Sequence, residues 1–309
     1  MTPVRQWLLT VIGCVSYLFA QTTLAEESQQ ETAAEVMRVK FIPKQSPTDA
    51  IHDYLIKVLQ LALDKTTPEY GPAEIELLPL PYNQGLLMSL LNHDDIIDVV
   101  ASAPSKERET AARSARVPIT MGLLGYRMMI IRQTDLAAFQ QIESPDDLKL
   151  FRACQGAHWP DSDILEANGY PVQRINNFDD MFKRLREGSC DYFPRAITEG
   201  YSEIEAYLAR TKDNSIVAYD DILLRYRLPF LFYTSHENFE LAARIEKGMK
   251  RAVRSGELKA LMKTHPVTKG VFPLSKWKVR EIFELHNPDL PKALPLEEPE
   301  YWLTLEDID

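Results

Sequence analysis

Residues 151–169 read FRACQGAHWPDSDILEANG. They predict a short apolar strand, a loop carrying Gln155, Gly156, His158 and Trp159, and a helix that opens near Asp161 and stops at Asn168-Gly169. Such a unit places polar side chains and free backbone N–H groups at the carboxyl end of a strand, where open α/β sheets bind ligands. Downstream the pattern continues as a strand at 172–175, a helix at 178–187 and a strand at 190–193. Upstream the same order occurs: strand 36–42, a helix begun by Ser46-Pro47-Thr48-Asp49 with Ser46 as N-cap, strand 73–80, helix 84–92 and strand 96–101. Two βαβαβ halves predict an α/β protein of two lobes, each a sheet flanked by helices.

Between the halves, the apolar stretch 119–132 reads as the first crossing strand, and 228–233, LPFLFY, as the return. A charged helix at 197–210 and a strand at 215–219 precede the return. Two amphipathic helices follow at 239–262, hinged at Ser255-Gly256, and then a tail rich in proline and acid with Trp277, Phe283, Tyr301 and Trp302 as anchors. The expected organisation is residues 37–120 plus 230–309 as lobe I with the tail, and 121–229 as lobe II.

The 309 residues are 45% hydrophobic and 26% charged, which suits a globular chain and excludes a disordered or fibrous one. A formal charge of −10 without a basic run argues against nucleic acid or an anionic membrane as partner. Residues 1–25 carry Arg5, an apolar run at 7–20 and the exit Thr23-Leu24-Ala25, the pattern of a cleavable signal peptide, with 26–36 as linker. Val11-Ile12-Gly13-Cys14 offers a lipid anchor as the alternative. Export makes pairing of Cys154 with Cys190 one reading and two buried free thiols the other, since a bridge across adjacent parallel strands is geometrically awkward. The six histidines show no metal-ligand spacing, and no cofactor motif occurs.

The chain resembles the type II periplasmic binding proteins, specifically bacterial solute-binding protein family 3, the polar amino-acid binders. Ser105-Lys106-Glu107-Arg108 sits where that family has a Thr-Pro-Glu-Arg-like turn. Gly122-Leu123-Leu124-Gly125-Tyr126-Arg127, Gln155-Gly156 with Trp159-Pro160-Asp161, Asp191-Tyr192-Phe193-Pro194-Arg195, and Phe283-Glu284-Leu285 before Asn287-Pro288 resemble a branch known only as transporter substrate-binding-domain proteins. The resemblance spans about residues 37–303.

The resemblance implies that Arg108 grips a ligand carboxylate, for which the planar, paired donors of guanidinium are suited. Ser102 and Ser105 either add hydroxyl donors or cap the next helix. Gln155 and the Gly156 amide would face the ligand, with Trp159 as a stacking wall or a packing plug. Amino-acid binders of the family place a carboxylate four or five residues after the position of Asp191, to hold the ligand ammonium; here Arg195 and Ala196 stand there. A cleft-facing Arg195 would invite a second anion, unless it pairs with Asp191, Glu199 or Asp161. Asp161 either satisfies its own helix or replaces the missing ammonium partner. Arg127 lines the cleft or pins the hinge, and Tyr192 belongs to wall or core.

The function expected is a periplasmic, non-enzymatic, monomeric protein that closes two lobes over an anionic or zwitterionic solute, amino-acid-like or a dicarboxylate. It would present that solute to a membrane importer or sensor. The alternatives are a dehydratase-like enzyme using Glu199, Asp161 or His158, and a scaffold whose cleft is filled by its own side chains.

Overall fold

The computed structural model describes residues 35–78, 84–93, 96–278, 280–292, 294 and 298–307. The signal-peptide and lipid-anchor readings, Cys14 included, and residues 26–34 of the linker lie outside the described residues.

The strands in chain order are Met37–Phe41 (β1), Ala73–Leu77 (β2), Val100–Ser102 (β3), Arg113–Ala115 (β4), Tyr126–Arg132 (β5), Ala153–Gly156 (β6), Val172–Ile175 (β7), Tyr192–Ala196 (β8), Ile216–Arg225 (β9), Leu231–Thr234 (β10) and Glu281–Glu284 (β11). The principal helices are Ile51–Asp64 (α1), Gln84–Leu90 (α2), Lys106–Ala111 (α3), Pro160–Ala167 (α4), Phe178–Arg186 (α5), Gly200–Thr211 (α6), Phe239–Arg254 (α7) and Glu257–Thr264 (α8).

β1 and β2 pair in parallel, and a parallel bridge from Phe41 to Val99 links them to β3, which pairs with antiparallel β10 and through it with β4. Across that bridge the order is β2-β1-β3-β10-β4. The second sheet runs β7-β6-β8-β5-β9, with β11 outermost. The two orders correspond strand for strand. In each, the fourth strand is antiparallel to its neighbours and comes from beyond a crossing: β5 follows the first half, and β10 returns after the second. The chain therefore passes twice between two lobes, and the loops at the carboxyl ends of β3, β6 and β8 can line the space between them.

Helix α1 turns Ile51, Tyr54, Leu55, Val58 and Ala62 inward, the expected face. Its start differs from expectation. Ser46 closes a turn of its own, its Oγ accepting from the Thr48 amide at 2.9 Å, while Asp49 accepts from the Gln45 amide at 3.0 Å. The helix then begins only at Ile51.

Cys154 and Cys190 form a disulfide with their Cα atoms 5.4 Å apart, so the free-thiol alternative does not hold. The geometric objection to a bridge between parallel strands does not arise, because Cys190 lies two residues before β8, outside the ladder. The bond fastens β6, which leads into the Gly156 loop, to the entry of the strand that carries Arg195.

The tail touches both lobes rather than lobe I alone: β11 extends the second sheet by pairing with β9, while Asp289 pairs with Lys106 of the first lobe at 2.9 Å and Leu303 donates its amide to the Met121 carbonyl at 2.8 Å in the first crossing. Among the described residues no helix is long and apolar enough to cross a membrane.

Candidate functional site

Arg108 owes its position to a short capped helix. Ser105, in extended conformation, accepts from the Arg108 amide at 3.2 Å and starts α3, so its role is the cap. The guanidinium is buried and richly bonded. Nη1 donates to Ser102 Oγ and to the Ala103 carbonyl at 2.8 Å; Nη2 donates to Gln84 Oε1 at 2.9 Å and to the His158 carbonyl at 2.5 Å. Burial pushes its pKa down to about 10, still far enough above neutrality to keep the charge. The last of these bonds joins the lobes: His158 belongs to the loop after β6, and its ring packs against Gly85 of α2 so closely that an added Cβ there would lie 2.9 Å from it.

Trp159 is set by the same loop. Its indole lies over Gly156, where a Cβ would meet the ring at 2.3 Å, so only glycine fits beneath it. Gly156 gives its carbonyl to the Trp159 amide at 3.0 Å and to Ser162 Oγ at 2.7 Å, which ties the loop to the start of α4. Gln155 is fully buried beside it, its Oε1 accepting from the Gly156 amide at 3.3 Å. Its Nε2 is without a partner among the described residues, and the side chain does not reach the space between the lobes. Tyr192 lies against Phe139 in the core of the second lobe, ring centroids 6.1 Å apart, and belongs to the core rather than to a wall of the site.

Between the lobes is a cavity of about 60 Å³. Asp49 and Gln84 line it from the first lobe, and Trp159, Asp161, Arg195 and Glu199 from the second, with Arg127 of the first crossing strand beneath. Arg127 bonds to Asp161 through Nη2 at 2.5 Å and approaches Glu199 through Nη1 at 3.7 Å. Its guanidinium also lies 5.6 Å from the Tyr226 ring, and the Tyr226 hydroxyl donates to Asp161 at 2.6 Å. Burial alone would lower the pKa of Arg127; Asp161, Tyr226 and Glu199 outweigh it and raise it.

Arg195 does not present a free charge. Its Nε and Nη2 donate to the two oxygens of Glu203 at 2.7 and 2.6 Å, and Nη2 also meets Glu199 at 2.9 Å. The guanidinium stacks near Trp159, 5.0 Å from its ring, and near Phe193. Arg195 thus lines the cavity but is already neutralised, which removes the ground for expecting it to attract a second anion. The pairing is with Glu199 and Glu203, not with Asp191, which instead accepts from Arg132 at 3.1 Å.

Asp49, Asp161, Glu199 and Glu203 together face two guanidinium groups, Arg127 and Arg195, all of them buried. Burial pushes Glu203 up to about 7, against the pull of Arg195, and burial raises Asp49 as well. Arg127 Nε is buried without a hydrogen-bond partner among the described residues, and Glu199 Oε2 is held by its ion pairs with Arg195 and Arg127. The sequence offered little notice of Asp49, Gln84, Glu203 and Tyr226. One signal was available, since Glu199 and Glu203 are four residues apart at the start of one helix and must share a face.

Among the described residues, no group of His, Cys, Asp and Glu could hold a metal ion.

No family model and no curated protein matches the sequence. Solved structures do. An ancestral arginine-binding protein bound to arginine superposes with a TM-score of 0.53 at 16% identity, over 75% of this chain and 98% of that one. A histidine kinase sensor domain with similarity to periplasmic binding proteins gives 0.52 at 15%, over 75% and 96%. An ancestral amino-acid-binding protein, described as a precursor of cyclohexadienyl dehydratase, gives 0.52 at 14%, over 74% and 94%.

Proposed function

We propose that this chain, whose fold is that of the type II periplasmic binding proteins, is an exported, monomeric binding protein that closes its two lobes over a small solute bearing a cationic nitrogen. The observation that carries the reading is the cavity between the lobes, lined by three buried carboxyl groups, Asp49, Asp161 and Glu199, and two guanidinium groups, one of which, Arg195, is already held by Glu203. Buried carboxylates are tolerated only when paired, so an arriving ammonium or guanidinium supplies the charge they lack. Two of the three, Asp49 and Glu199, come from opposite lobes, so a cation between them favours the closed state over the open one.

A zwitterion is also accommodated. Its carboxylate can take the place of the His158 carbonyl on Nη2 of Arg108. A dicarboxylate is disfavoured, because it would add two anions to a site already in carboxyl excess. At about 30 Å³ per water the cavity holds roughly two waters, so the lobes must part to admit a solute. After closure the protein would be presented to a membrane importer or sensor. No chemical step on the solute is part of this reading.

The test is a thermal-shift series with cationic amino acids, diamines, neutral amino acids and dicarboxylates. A cationic compound at saturating concentration is expected to raise the melting midpoint by several degrees, and Glu199→Gln to reduce that shift. A shift with dicarboxylates and none with cations would refute the assignment.

A further inference from the structure

Among the described residues β4 is the edge of its sheet, pairing only with β10. Between it and α7 runs a groove of about 810 Å³ whose charge is opposite to that of the chain. Arg113, Arg116, Lys247, Lys250, Arg251 and Arg254 line it against Glu109 and Glu246, in a protein with a formal charge of −10. Four of the six have local partners: Lys250 pairs with Glu246, Lys247 and Arg251 with Glu69, and Arg254 with Glu300. The side chains of Arg113 and Arg116 are exposed and make no ion pair or hydrogen bond among the described residues. At the start of α7, Phe239 adds an aromatic ring that is 59% exposed. None of these residues lines the solute cavity.

We infer that this groove receives an acidic, extended segment of a partner protein. Charge complementarity selects the sign, since a groove lined by six basic side chains on a chain of net charge −10 would favour an acidic partner. The shape selects the form. A concave channel along a strand edge suits a peptide chain, which can satisfy backbone groups on the edge while setting an apolar side chain on Phe239. A bilayer surface is planar and matches a groove less well.

The full chain would be titrated against a short fluorescein-labelled peptide, glutamate-rich around one leucine, by fluorescence anisotropy at low salt and at about 150 mM salt. Binding is expected at low salt, weaker with added salt, and reduced at least about tenfold in Arg113→Glu/Arg116→Glu and measurably in Phe239→Ala. A lysine-rich peptide should not bind. Absence of peptide binding, or equal binding by the doubly reversed variant, would overturn the inference. So would retention on phosphatidylglycerol vesicles that the same reversal abolishes while the peptide does not bind, which would give the groove to a membrane instead. All of these readings are independent of the solute-induced thermal shift.

Discussion

Glu203→Ala is expected to lower the free energy of unfolding by about 3–5 kcal/mol, the cost of leaving a buried charge without its main partner. Glu203 is fully buried on α6, and both of its oxygens are taken by Arg195. With the carboxylate gone, the guanidinium keeps only Glu199 and the faces of Trp159, Phe178 and Phe193, in a largely buried place. Urea unfolding reads the effect as a lowered midpoint at unchanged slope. A loss below about 1 kcal/mol would mean that the pair is exposed or that Glu199 alone suffices.

Proton linkage provides a second reading of the same group. Burial holds the folded-state pKa of Glu203 near 7, above the ordinary 4.5 of an unfolded glutamate. Between these values the folded state binds more protons than the unfolded one, so this contribution to stability is complete below about pH 4.5 and is lost as pH rises through about 7. Asp49, raised by burial, acts in the same direction; Glu69 and Asp213, lowered by hydrogen bonds, act in the opposite one. The difference between the wild type and Glu203→Gln isolates the Glu203 part: the variant should gain on the wild type as pH rises from 4.5 to 7. A cationic solute favours the ionised carboxylates, so its binding should release protons at slightly acid pH and tighten as pH rises.

Much of the architecture was legible because local signals and burial agreed. The run FRACQG and a helix start near Asp161 predict β6 and α4, and both are there, β6 at Ala153–Gly156 and α4 from Pro160, one residue earlier than expected. The hinge at Ser255-Gly256 divides α7 from α8 as expected, Gly256 taking a φ of +76° that favours glycine. What escaped depended on long-range partners. β4 is three residues long and takes its strand character from β10 alone. β9 runs to Arg225, beyond the expected end at 219, because β5 accommodates it through a register shift between Arg127 and Met129. The site was legible by position more than by role. Arg108, Trp159, Asp161 and Arg195 converge on the interface between the lobes, yet periodicity could not indicate that Arg195 would be claimed by a glutamate eight residues on, or that Asp49 would approach from the other lobe.

Gly125→Ala is expected to cost about 3 kcal/mol and to weaken solute capture, because it wedges the two crossings apart. The crossings meet backbone to backbone: the Tyr226 amide donates to the Gly125 carbonyl at 3.1 Å, and a Cβ at Gly125 would stand 2.0 Å from the Tyr226 carbonyl oxygen. No rotamer relieves that overlap, since neither atom belongs to a flexible side chain, and the segments must shift by about 1 Å in a close-packed interior. The shift reaches the cavity by a short route. Tyr226 fixes Asp161 through its hydroxyl, and Arg127, two residues past the glycine, holds the same carboxylate. Displacement of both disturbs the acidic pair on the second lobe without touching a residue that lines the first. Gly270→Ala supplies the comparison, since nothing lies within 4 Å of its added Cβ, and it should remain near wild type. Unchanged stability of Gly125→Ala would show that the crossings are not so closely apposed. A destabilised variant that kept the full solute-induced shift would show that the crossings hold the lobes together without shaping the cavity between them.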